Sequence, residues 1–567
     1  MSIEKLREKP FNLQNEDLNW VKATFEGMTT DEKLGQLFFM VGYKQDEAFL
    51  KHLTQDIGIG GLMCRSMDKQ SVIGTVSTLQ SSSKIPMLIA ANLEAGGQGI
   101  TTDGTKIGSN MAISATNDTE YAYQLGKICA KEGKAVGANY AFAPVIDIDY
   151  NFRNPITNTR TFGSHPEHVK AMGAAYVKGC QEEQMATSIK HFPGDGVDER
   201  DQHLLTSVNT MSPEEWDKTF GMVYQELIDQ GAMTVMIGHI CMPHYSKRLD
   251  PSLQDGDILP ASLAREILKD LLREKMNFNG LVITDASTMA GMNIPMPRNR
   301  LVPLAIENGC DMFLFTKNLE EDVRFMKEGL EKGWLSQERL DEAVIRILGL
   351  KVSLQLHKKN NVPSLEQAGE ILRHPDHQAI AKQVADRSIT LVKEEQGVLP
   401  ISPSKFGRIL LYDIESDANA LGYSKTNGLA PDFKLQLEAQ GFTVTRFEAS
   451  GIYEGLQSSF DEMIKQYDLI IYLCNLATKS NQTTVRIEWM NPMGVNVPIY
   501  VNSIPTIFIS TENPYHLLDV PRVKTYINTY GVNDYTLSML IDKLMGRSTF
   551  KGISPIDPFC DRWDTRL

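Results

Sequence analysis

In this 567-residue chain, polar side chains stand where runs of apolar residues end. They are Asn92 and Glu94, Asp147 and Asp149, Lys190 and His191, His239, and Asp285. A carboxylate such as Asp285, at the end of the apolar run GLVITDA, is costly to bury unless it faces a polar cavity. In such a place it suits nucleophilic attack. A second group lies in the string Lys190-His191-Phe192-Pro193-Gly194-Asp195-Gly196, followed after four residues by Asp201-Gln202-His203. A carboxylate beside an imidazole stabilises the imidazolium that donates a proton, and it also fixes the ring tautomer. Each residue taken alone has a plainer reading. Asp285 could cap its loop through Ser287 or Thr288, and His203 could be a histidine of a polar surface loop. Their coincidence at strand ends is what points to a shared site.

The runs that must position these residues are 34–43, 59–63, 86–94, 139–148, 186–193, 232–240, 280–286 and 312–316. Several are almost continuously apolar, as strands buried on both faces should be, and amphipathic helical stretches separate them. One stretch, 260–280, places Leu263, Ile267, Leu268, Leu271 and Leu272 on a single face. The expected fold is a TIM-like (β/α)₈ barrel, whose active site would sit at the C-terminal ends of the strands. An irregularity is expected near the second strand, where the spacers are short. A helical leader should cover 1–30, the barrel 31–350, a linker with a helix 351–390, and a smaller C-terminal α/β layered sandwich domain 391–567. The strands of that last domain are expected within 408–414, 442–449, 468–475, 504–511 and 525–530.

The string from Lys190 to His203 closely resembles the signature K-H-F/I-P-G-x-G-x₄-D-S/T-H of family 3 glycoside hydrolases of the β-N-acetylglucosaminidase type. Asn154-Pro155-Ile156-Thr157-Asn158-Thr159-Arg160-Thr161-Phe162-Gly163 is similar to that family's N-P-x₄-R-S-F-G loop, and 280–289 to the strand carrying its nucleophilic aspartate. Glu512-Asn513-Pro514-Tyr515 and the turn Thr529-Tyr530-Gly531 are similar to segments of its C-terminal domain. The resemblance implies Asp285 as nucleophile and His203, supported by Asp201, as acid/base. It implies Lys190, His191, Arg160, Asn92 and Glu94 as the residues that hold the sugar. The chain departs from the family's D-x-E-G-G, reading Asn92-Leu93-Glu94-Ala95-Gly96-Gly97, and Gln98–Thr101 offers no counterpart to the arginine that follows. An asparagine at 92 keeps hydrogen bonding but loses the strength of a charge-assisted bond. The Gly194–Arg200 loop is expected to be mobile and to close over bound sugar.

Composition limits the rest. A formal charge of −14 disfavours nucleic acid and anionic membrane as partners. The seven cysteines are scattered without a C-x-x-C pair and are expected to be buried thiols. The N-terminal residues carry no apolar leader, so a cytoplasmic location is expected. No cofactor or metal is expected, because there is no HExxH, Walker loop or G-x-G-x-x-G. The resulting expectation is a retaining exo-β-N-acetylglucosaminidase, implied by the resemblance, with a small carbohydrate substrate such as a cell-wall fragment or short chito-oligosaccharide. A phosphorylase on the same scaffold and a catalytically inactive sugar-binding protein are the alternatives.

Overall fold

A computed structural model describes residues 2–42, 46–358, 362–415, 428–448, 457–478, 480–481, 483–490 and 493–567. All eight apolar runs of the N-terminal part form strands: β1 Phe38–Val41, β2 Gly61–Met63, β3 Leu88–Ala91, β4 Tyr140–Ala141, β5 Ala186–Phe192, β6 Thr234–Ile237, β7 Leu281–Thr284 and β8 Phe313–Leu314. They pair in the order β8-β1-β2-β3-β4-β5-β6-β7, all parallel. A parallel bridge between Ile283 and Met312 joins β7 to the residue preceding β8, so the sheet closes into a barrel. Every residue of β3, β5, β6 and β7 is buried, which is why β3, β6 and β7 are mostly apolar without alternation. The second strand is short but parallel to both neighbours; the irregularity expected there lies before it, where the helix Glu47–Lys51 continues as the π-helix His52–Ile57.

The stretch 260–280 buries Leu263, Ile267, Leu268, Leu271 and Leu272 as its spacing requires. Its helix, Glu266–Lys275, is nonetheless wound as a π-helix. A hydrophobic pattern reports which face is buried; it does not report the size of the hydrogen-bonded ring.

Barrel closure rests on a buried charge cluster. Asp311 is fully buried between β7 and β8, accepts the Val282 N–H (2.8 Å), and pairs with Arg273 (2.7 Å), Arg339 (2.6 Å) and Arg346 (3.5 Å). Removing a buried partner leaves uncompensated charge, here chiefly that of Arg273, since Glu342 stays beside Arg346 (3.0 Å) and Arg339 (3.7 Å). Asp311→Ala is therefore expected to destabilise the barrel by about 3–5 kcal/mol in a urea melt. A change under about 1 kcal/mol would show the cluster to be solvated rather than structural.

A second compact unit holds a six-stranded sheet of β9 Thr390–Glu394, β10 Arg408–Glu415, β11 Thr443–Arg446, β12 Leu469–Asn475, β13 Thr506–Ser510 and β14 Thr525–Asn528. Its order is β9-β14-β13-β12-β10-β11, parallel throughout except for the antiparallel edge strand β9. Apolar clusters cover both faces, one around Ile409, Leu411, Ile471 and Ile509, the other around Tyr412, Tyr472, Phe508 and Tyr526. This is the expected layered α/β arrangement.

The units do not follow contiguous stretches of chain. One comprises residues 1–106, 122–151 and 165–377, and the other 107–121, 152–164 and 378–567. The helix Asn110–Ala115 thus belongs to the second unit, where Met111, Ala112 and Ala115 pack with Tyr515, Tyr530 and Ile556. A reading of boundaries from linker composition divides a chain only once per linker, and short excursions of this kind carry no linker signal.

All seven cysteines are free, six of them buried and Cys560 partly exposed. Among the described residues no helix is long and apolar enough to cross a membrane.

Candidate active site

At the C-terminal ends of β5, β6 and β7, His191, His239 and Asp285 come together. Asp285 follows β7 directly, with its N–H donating to Ile237 O (2.8 Å) and its Oδ1 accepting the Ala286 N–H (2.7 Å). Its side chain is 17% exposed, and its Oδ2 lies 4.0 Å from His191 Nε2. Burial pushes the Asp285 carboxyl up, but the imidazoles of His191, His239 and His203, with the Ala286 N–H, outweigh this and hold it below the ordinary aspartate value. The carboxylate is therefore ionised at neutral pH, as a nucleophile must be.

His191 is held from behind. Asp147, buried just beyond β4, accepts the His191 Nδ1–H (2.7 Å) and the backbone N–H groups of His191 (3.0 Å) and Asp195 (2.8 Å). The Nδ1–H bond leaves Nε2 facing Asp285. His239 donates Nε2–H to Ala286 O (3.0 Å), and its Nδ1 meets Ser262 Oγ (2.8 Å). Burial pushes the His239 imidazole down, against the pull of the Asp285 carboxylate and the Ala286 carbonyl in the other direction.

His203 and Asp201 form the expected dyad. Asp201 is buried and accepts both the His203 N–H (2.8 Å) and its Nδ1–H (2.7 Å), while the His203 ring is 30% exposed. With Nδ1 committed, Nε2 is the nitrogen available for proton transfer.

The loop carrying this dyad is tied to its surroundings at several points. Ser207–Val208 pairs in parallel with Ile240–Cys241, Val208 N–H donates to Asp198 (2.9 Å), Asn209 donates to Gly194 O (3.2 Å), and Ala290 N–H donates to His203 O (3.1 Å). Its Gly and Asp residues suggest freedom in the sequence, yet polar side chains such as Asp198 and Asn209 are spent on tying the loop down.

Of the residues expected to hold the sugar, Lys190 is buried and pairs with Glu94 (2.7 Å) at the mouth. Asn92 is exposed just after β3. Arg160 lies in the second unit, in the turn Asn158–Arg160, where its carbonyl accepts from Asn110 (2.7 Å) and its Nη1 reaches Ile156 O (3.4 Å). Asp147 and His239, both strand-end residues visible in the sequence, join the site as supports of its imidazoles and carboxylate. Asp195 and Gln202 were hidden inside the loop string, where nothing in their spacing separated them from turn residues. Among the described residues no group of three or more His, Cys, Asp or Glu could hold a metal ion.

The model of the glycosyl hydrolase family 3 N-terminal domain matches residues 29–350. The chain is 51% identical, over 99% of its length and all of the relative's, to a protein of Cellulomonas fimi named β-N-acetylglucosaminidase/β-glucosidase. Among solved structures it resembles β-glucoside phosphorylase BglX at 44% identity and a TM-score of 0.94, covering all of both chains. It also resembles a family 3 β-N-acetylglucosaminidase from Paenibacillus sp. str. FPU-7 at 23% identity and a TM-score of 0.80, with 94% of this chain and 99% of that one covered; that likeness is one of fold.

Proposed function

The chain belongs to glycosyl hydrolase family 3 and is an enzyme of glycosidic bonds, and we propose that it releases a terminal β-linked N-acetylglucosamine by double displacement. Asp285 attacks the anomeric carbon as the bond to the aglycone oxygen breaks, and His203 Nε2–H gives its proton to that oxygen. The neutral imidazole then takes a proton from water, whose oxygen attacks the anomeric carbon and frees Asp285. Lys190, Glu94 and Asn92 are the residues of the barrel proposed to bind sugar hydroxyls. The observation that carries this reading is an ionised carboxylate at a barrel mouth, set among three imidazoles, one of which keeps a free nitrogen on a carboxylate-supported ring.

A second reading changes only the acceptor. The full-length likeness to a protein named a phosphorylase favours phosphate in place of water, and so does the dyad, because a neutral imidazole does not repel an anionic nucleophile as a carboxylate base would. Phosphate needs no deprotonation to attack. Purified protein given aryl β-N-acetylglucosaminide and aryl β-glucoside, with and without phosphate, distinguishes the two. Hydrolysis is expected to yield free sugar at a rate indifferent to phosphate. Saturable dependence on phosphate with a sugar 1-phosphate as product would replace water by phosphate in the second step, and preference for the glucoside would overturn the N-acetylglucosamine assignment.

A further inference from the structure

Gln202 stands between the two members of the acid/base dyad and is fully buried. Its amide is used at both ends: Nε2–H donates to Asp195 Oδ2 (3.1 Å), and Oε1 accepts the His239 N–H (2.7 Å). The orientation of the amide is unambiguous, since a backbone N–H can only donate and therefore faces Oε1. Gly291 N–H binds the Gln202 carbonyl as well (3.1 Å). Both arms of the amide lead to the proposed nucleophile. Through Asp195 the path runs to Asp147 and His191, 4.0 Å from Asp285; through His239 it runs to Ala286, whose N–H binds Asp285.

The surroundings are cut to admit this bridge. A Cβ on residue 238 would lie 3.3 Å from Gln202 Oε1 and 3.2 Å from His191 Cβ, and one on residue 291 would lie 2.7 Å from the Gln202 carbonyl; both positions are glycine. A serine or threonine at 202, as in the signature this string resembles, ends one atom beyond Cβ and cannot span the two partners. The loop would then keep its backbone ties, Ala290 N–H to His203 O and Gly291 N–H to the residue-202 carbonyl, but lose both bonds of the amide.

We infer that Gln202 is a positioning residue: its amide locks the His203 loop to the strand ends that carry the nucleophile, so the proton donor is in place before sugar binds. The inference rests on the reading of His203 as acid/base. Misplacing such a group by an ångström costs on the order of a hundredfold in rate where its proton is needed, and little where it is not.

The test exchanges the two ends of one hydrogen bond. Gln202→Glu sets two carboxylates face to face while keeping the acceptor for His239 N–H. Adding Asp195→Asn restores a donor and an acceptor, reversed, with the total charge of the parent. Turnover is measured on a dinitrophenyl β-N-acetylglucosaminide, which departs without a proton, and on diacetylchitobiose, which requires one. Gln202→Glu is expected to lose about tenfold or more on chitobiose and less than about threefold on the aryl glycoside, and the double variant should recover most of the loss. Equal losses on both substrates, no loss, or no recovery in the double variant would overturn the inference. Should Gln202→Glu fail to fold, Gln202→Thr provides the same comparison without added charge. His203→Ala is run alongside: if it discriminates by leaving group and Gln202→Glu does not, only this inference falls, and if it does not discriminate, the acid/base reading falls and this inference with it.

Discussion

Asp285→Asn is expected to lower turnover by about 10⁴- to 10⁶-fold on every substrate, activated or not. The amide keeps the shape of the side chain and can still accept the Ala286 N–H, so the fold and the binding of sugar should change little. What disappears is the electron pair that forms the glycosyl bond. The imidazoles that hold the carboxylate below the ordinary aspartate value supply positive potential that serves only a charged group. Because no covalent intermediate forms, a small anion such as azide should rescue at most an inverted product. Near-normal turnover in Asp285→Asn would move the nucleophile elsewhere, and a comparable fall in sugar affinity would make Asp285 a binding residue instead.

His203→Ala should show a different pattern, set by the leaving group. An acidic phenol departs unaided, whereas a sugar alkoxide needs a proton, so the loss on a disaccharide should exceed that on an activated aryl glycoside by about 10²-fold or more. The second step loses its base as well. The glycosyl-enzyme should accumulate, giving a burst and then slow turnover, and azide, which attacks without deprotonation, should restore the rate and yield a β-glycosyl azide. Asp201→Asn should follow the same pattern less severely, because it retains a hydrogen-bonding group beside Nδ1. Equal losses across leaving groups, with no azide rescue, would reduce His203 to a loop histidine.

The barrel was legible because its strands are buried on both faces: runs such as LVIT and TVMI have no solvent side to force alternation. The positions of Asp285, proposed as the nucleophile, and of its neighbour His191 stood out for the complementary reason, since both lie at the ends of apolar runs where a polar residue needs a cause. The supports were less legible. Asp195 and Gln202 sit among Gly, Asp, Glu and Arg, where polar residues are ordinary, and only the folded loop shows that they point inward. The tethering of that loop was missed on the same account, for a residue type suited to turns is equally suited to pinning one down. The excursions of the chain into the second unit left no trace in composition, because 107–121 and 152–164 read as the helix and loop that any barrel crossover would contain.

Those excursions bear on how the protein is made. The helix Asn110–Ala115 leaves the ribosome with an apolar face whose partners, Tyr515, Tyr530 and Ile556, are encoded far downstream. Barrel strands on either side of it can pair as they emerge, but this face must stay uncovered until Tyr515, Tyr530 and Ile556 have been made. A product ending at residue 377 would hold every barrel strand and still carry the orphaned helix, and with it a sticky patch for chaperones or proteases to find. The second unit is thus completed only when parts far apart in the sequence have all been made, since residues 107–121 wait for Tyr515, Tyr530 and Ile556.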